Sequence, residues 1–86
     1  MRTIKNLDKY ITYMITEYRE KCERSAFENN FEARRTLWKI AVFVIERASD
    51  PEEYLDELRD ASIGTVSASR IESTIRSARR RVNSHA

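Results

Sequence analysis

The 86-residue chain holds one glycine, one proline, one cysteine and one histidine, and each scarcity removes a class of protein. The lone Cys22 cannot close an internal disulfide or supply a structural zinc site of several thiolates. That suits a reducing cytosol. The lone His85, near the end of the chain, leaves nothing from which to build a histidine general base, a nucleophile triad or a histidine-rich metal site. No glycine-rich phosphate loop is present. Nowhere do 18 apolar residues run together, and "MRTIKNLDKY" lacks a signal-peptide core. The expectation is a soluble, cytoplasmic protein with no membrane partner and no cofactor, and Met1 points to a whole protein.

With one Gly and one Pro to make turns, long regular elements must dominate. The length suits one domain with a single small core. Leu7, Ile11, Met14, Tyr18, Cys22 and Ala26 form a stripe at helical spacing, so a helix is expected over about 7–26 with Asn6 as N-cap. Glu17 with Lys21 and Glu20 with Arg24 stand as i, i+4 pairs. "SAFENNF" interrupts, and Asn29 or Asn30 can cap a second helix over 31–48. "LWKIAVFVI" makes that helix apolar around most of its circumference, hence central. "SDPEEYLDEL" carries the strongest start signal: Asp50 as N-cap, Pro51 at N1 and Glu53 at N3 predict a capping box opening a helix over 51–63, with Gly64 ending it. Its inner face is Tyr54, Leu55, Leu58 and Ala61.

A last helix over 68–82 follows Ser67, with Val66 and Ile71 as a hydrophobic staple, or alternatively a Ser69–Glu72 capping box. Ile71, Ile75, Ala78 and Val82 give a narrow seam, and "NSHA" should fray. The fold class is therefore all-α, a small four-helix bundle-like domain with helix two central and short connections favouring antiparallel neighbours.

Candidate chemistry is thin. Cys22 lies on the inner stripe, where a packed thiol is the plain reading. Glu52, Glu53, Asp56, Glu57 and Asp60 offer too few convergent ligands for a divalent cation on one helix surface. The expectation is a protein that is not an enzyme.

Charge is the informative feature. From Thr65 onward five arginines face one acid, Glu72, while residues 1–64 hold 11 basic against 13 acidic side chains. Such a basic end fits a polyanion or an acidic protein, with ion pairing to the acidic helix three as the competing reading. On a wheel with Ile71 at zero, Arg79 falls at about +80°, Arg76 at about +140° and Arg80 at about 180°. Arg70 falls at about −100° and Arg81 at about −80°. The first three are the phosphate candidates, and the other two are expected to pair with a neighbouring helix. Arg34, Arg35 and Lys39 form a second basic cluster around Trp38. Exposed, that ring would be a base platform; buried, it is the largest core residue. Of the tyrosines, Tyr10 borders the stripe and Tyr13 is expected to be exposed.

"RRTLWKIA" and "IESTIRSA", placed after a leading helix with Tyr10 and Glu17 and around an acid-started helix with Asp50, Glu53 and Leu58, carry a resemblance. Over about residues 7–81 the chain resembles the small C-terminal helical domain of phage and plasmid primase-polymerases and related primases. It departs where that family has Arg-Asn before the Thr-Leu, here Arg34 and Arg35, and a small residue or glycine after the terminal Ser, here Ala78. The resemblance implies an accessory, DNA-binding module in DNA replication that holds single-stranded template beside a replication protein. The alternative is a small phage- or plasmid-borne protein that inhibits a host or defence protein, or a bundle that forms a homo-oligomer.

Overall fold

The apolar stripes become four helices: α1 Arg2–Glu23, α2 Asn30–Arg47, α3 Pro51–Ser62 and α4 Ala68–Ser84, with no strand among the described residues. The computed structural model describes residues 2–84, with side chains from Asn6 onward. His85, expected to be idle in a fraying tail, lies outside that range, whereas Asn83 and Ser84 are still helical.

Helix α1 differs from expectation at both ends. Asn6 sits inside it, because nothing in Arg2–Lys5 breaks a helix. It stops at Glu23 rather than Ala26, because Ser25 takes a left-handed φ of 52°. The Ala26 amide then donates to the Lys21 carbonyl at 2.9 Å and the Ser25 amide to the Cys22 carbonyl at 3.2 Å, which is a Schellman cap with serine where glycine usually stands. Ala26 is consequently exposed, and Ile15 takes its place in the core.

Asn29 caps α2: its side chain accepts from the Glu32 amide at 2.8 Å, and Glu32 returns a carboxylate to the Glu28 amide at 3.0 Å. Pro51 opens α3 as expected, but Asp50 supplies no side-chain cap, having φ −131° and ψ 76°, so the predicted box is not made. Gly64, at φ +88°, follows the end of α3. Val66 and Ile71 are both buried as the staple requires, and the Ile71 amide donates to the Ser67 carbonyl at 2.9 Å. Glu72 is drawn away from Ser69 by Arg59 at 2.8 Å.

α2 packs against all three other helices, while α1 and α4 lie on opposite sides of the α2–α3 pair and do not meet among the described residues. Tyr10 meets Phe43 edge-on at 5.4 Å and Tyr18 meets Phe27 at 5.8 Å, so α1 runs antiparallel to α2. Arg79–Glu52 and Arg59–Glu72 set α3 antiparallel to α4 in the same way. α2 and α4 are therefore parallel, with their N-terminal ends tied by Asn30 Nδ2 donating to the Thr65 carbonyl at 3.2 Å. Theirs is the closest helix pair. Alanines at fully buried positions, Ala33 and Ala41 on α2 and Ala78 on α4, leave room for that approach.

One polar pair crosses the core. The Tyr18 hydroxyl lies 2.6 Å from Ser62 Oγ, which itself donates to the Leu58 carbonyl at 2.8 Å. Nearby, Tyr54 donates to Asp8 Oδ1 at 3.0 Å and is half-buried. Cys22 is buried and free, in keeping with a packing role.

Candidate nucleic-acid interface

Because α2 and α4 run parallel and close, side chains one step outside their shared seam form the walls of a groove. Its volume is about 450 Å³, with Phe31, Arg34, Arg35 and Trp38 on the α2 wall and Ser73, Thr74 and Ser77 on the α4 wall. The helical period puts the four α2 residues on one face, since 31, 34, 35 and 38 lie within about 60° of Trp38. Trp38 resolves the sequence alternatives halfway: it packs against the core on one side and lines the groove on the other.

Phe31 is exposed, at 62%, and its ring centroid lies 6.0 Å from the Arg34 guanidinium carbon, a stacked cation–π arrangement. The Arg34 Nε is shut off from solvent, with no hydrogen-bond partner among the described residues. A buried donor left in that state costs about 1–3 kcal/mol, so its presence calls for a compensating acceptor. No carboxylate lines the groove.

The α4 arginines divide by neighbour, in the reverse of the expected sense. Arg79 lies on the flank facing α3 and holds Glu52 with two hydrogen bonds, Nη1 to Oε2 at 2.7 Å and Nη2 to Oε1 at 3.0 Å. Those bonds hold the Glu52 carboxyl below its ordinary range and push the Arg79 guanidinium up. Glu72 shares that flank and engages Arg59, which also bonds Asp56 at 2.7 Å. The helix-three reading thus holds for Arg79. It does not hold for Arg70 and Arg81, whose expected pairing is absent: among the described residues neither has a carboxylate within 4.0 Å. By their wheel angles these two belong to the flank of Thr74 and Ser77, hence to the groove. Arg76 and Arg80 are exposed and likewise free of carboxylates among the described residues.

Lys39 is parted from Arg34 and Arg35. It lines a second groove, between α1 and α2, with Tyr13, Met14, Glu17, Lys21 and Ile40. Neither Glu17–Lys21 nor Glu20–Arg24 closes into an ion pair; Arg19 instead reaches Asp60 on α3 at 3.0 Å. The Glu/Asp set on α3 gathers no metal-ligand group among the described residues, and no described helix is long and apolar enough to cross a membrane.

Sequence reasoning passed over Phe31, Ser73, Thr74 and Ser77. Their signal was present in the wheel, where the three hydroxyl residues occupy the same flank as Arg70 and Arg81. No protein-family model, curated protein or solved structure matches the chain.

Proposed function

We propose that this chain is a non-catalytic helical module that binds single-stranded nucleic acid along the α2–α4 groove. The observation that carries the reading is the convergence of Arg34 and Arg35 with the rings of Phe31 and Trp38 in one groove that no carboxylate lines. The guanidiniums neutralise phosphates, and aromatic faces accept any base, which is how sequence-tolerant single-strand binders work. Arg70, Arg76, Arg80 and Arg81 extend the positive surface along α4. A single strand suits the groove better than a duplex, whose bases are stacked away from such platforms. A place in phage or plasmid replication beside a primase rests on "RRTLWKIA" and "IESTIRSA" alone.

Trp38 is the only tryptophan, so its fluorescence reports on the groove. Titration with a single-stranded oligodeoxynucleotide should change that emission, with affinity falling steeply with salt. Arg35→Ala should flatten the log–log salt slope by about 0.7, the value for one lost single-strand phosphate contact. Absence of binding up to high micromolar strand in low salt would sink the reading.

A protein partner is the second reading, favoured by one observation: Tyr10 and Tyr13 are exposed on α1 at 53% and 61%, the latter beside Met14 at the α1–α2 groove. Tyr and Met are enriched at protein interfaces. Co-purification with a partner that survives nuclease treatment and is lost on Tyr13→Ser would support this reading over the first.

A further inference from the structure

We infer that the α2–α4 groove receives a terminal phosphate of the bound strand, a phosphomonoester dianion, in preference to the internal diesters. This deepens the single-strand reading and rests on it. The number of available donors favours the dianion. Arg34 and Arg35 bring two guanidinium forks to one groove, and Thr74 and Ser77 bring hydroxyls from the facing wall. Ser73 has committed its own proton to the Arg70 carbonyl at 3.2 Å and offers only an oxygen.

An internal diester carries one negative charge and two free oxygens, fewer than this set can serve. A phosphomonoester carries close to two charges and three acceptor oxygens, and bidentate guanidinium binding matches its geometry. The Arg34 Nε is the donor that finds no acceptor among the described residues. Phe31, stacked on that guanidinium and largely exposed, is placed to cover the terminal nucleotide. The groove volume of about 450 Å³ lies within the range of small-ligand sites. A blunt end of a chain, which needs no exit path on one side, fits such a pocket better than a continuous strand.

The test compares three oligodeoxynucleotides of one sequence, bearing a 5′-phosphate, a 3′-phosphate or hydroxyls at both ends, by Trp38 fluorescence and by anisotropy. At least one phosphorylated end should bind roughly tenfold more tightly than the hydroxyl-ended strand, the worth of one added charge-assisted hydrogen bond. Which end gains tells whether the site reads 5′ or 3′ termini. The groove presents guanidinium, hydroxyl and ring groups, with no carboxylate or histidine among the residues lining it from α2 or α4. The titrating group near neutrality is then the ligand's own, and the preference should shrink as pH falls through about 6, the second phosphate pKa. Arg34→Lys, which keeps the charge and loses the fork, should bring the affinity ratio towards one. Ser77→Ala should lower the ratio as well, in a variant whose small change spares the fold, checked by circular dichroism. Equal affinity for all three ends overturns the inference and leaves single-strand binding standing. Failure of all three strands to bind overturns both.

Discussion

Removing the Tyr18–Ser62 hydrogen bond from either side should have unequal consequences. Ser62 has one proton and gives it to the Leu58 carbonyl at 2.8 Å, so across the 2.6 Å contact Tyr18 must be the donor. Ser62→Ala therefore strands a phenol O–H in a side chain that is 1% exposed. An orphaned buried donor costs about 1–3 kcal/mol. Tyr18→Phe removes the donor and leaves Ser62 still bonded to Leu58, so the cost is nearer the net worth of one hydrogen bond, about 1 kcal/mol. With both changes no stranded group remains, and the double variant should lie well short of the sum of the singles. Urea unfolding followed by circular dichroism measures all four corners of the cycle. Additivity to within about 0.5 kcal/mol, or a milder Ser62→Ala than Tyr18→Phe, would refute the assigned proton. A pH series gives an independent check. Burial pushes the Tyr18 phenol well above its ordinary range, so the folded state holds a proton that the unfolded chain releases near pH 10. A folded-state pKa above the unfolded one gives stability that is complete below about pH 10 and is lost above it, at up to about 1.4 kcal/mol per pH unit. Tyr54, raised by burial and by its bond to Asp8, acts in the same sense, so Tyr18→Phe should lessen the alkaline loss without abolishing it.

The two left-handed positions make a complementary pair: Ser25→Gly should stabilise the chain by about 1 kcal/mol and Gly64→Ala should destabilise it by about as much. At Gly64 an added Cβ meets nothing within 4 Å, so backbone strain is the sole cost, and thermal melts moving in the same direction for both variants would contradict this account. Among the arginines, Arg79→Ala should leave single-strand affinity close to that of the parent because Glu52 already occupies its guanidinium, whereas Arg81→Ala should weaken binding and flatten the salt slope. Equal losses from the two would mean that the α3 flank, rather than the groove, meets the strand.

Much of the fold was legible in the residues. Ile71, Ile75 and Ala78 on α4 and Leu55, Leu58 and Ala61 on α3 are buried as their spacing required. The errors fell at helix ends. Asp50, with the right residue type for a cap, makes none, and Ser25, with no glycine to announce it, ends α1. Capping turns on one or two dihedral angles, which residue type biases by little more than thermal energy. Periodic burial draws on many side chains at once and is correspondingly robust.

The candidate site was legible only in its ingredients. The sequence determined that α4 has two cationic flanks and that α2 sets Arg34 and Arg35 beside Trp38, because the period of one helix dictates angles about its own axis. It could not tell which neighbour stands at each angle. Tertiary packing decided that: α3 lies along the flank of Arg79 and Glu72 and ties that arginine to Glu52, while α2 lies along the flank of Thr74 and Ser77. An arginine is available to a ligand only if no nearer carboxylate takes its fork. That depends on contacts between residues far apart in the chain, Arg79 and Glu52 being 27 apart, and so on the fold as a whole.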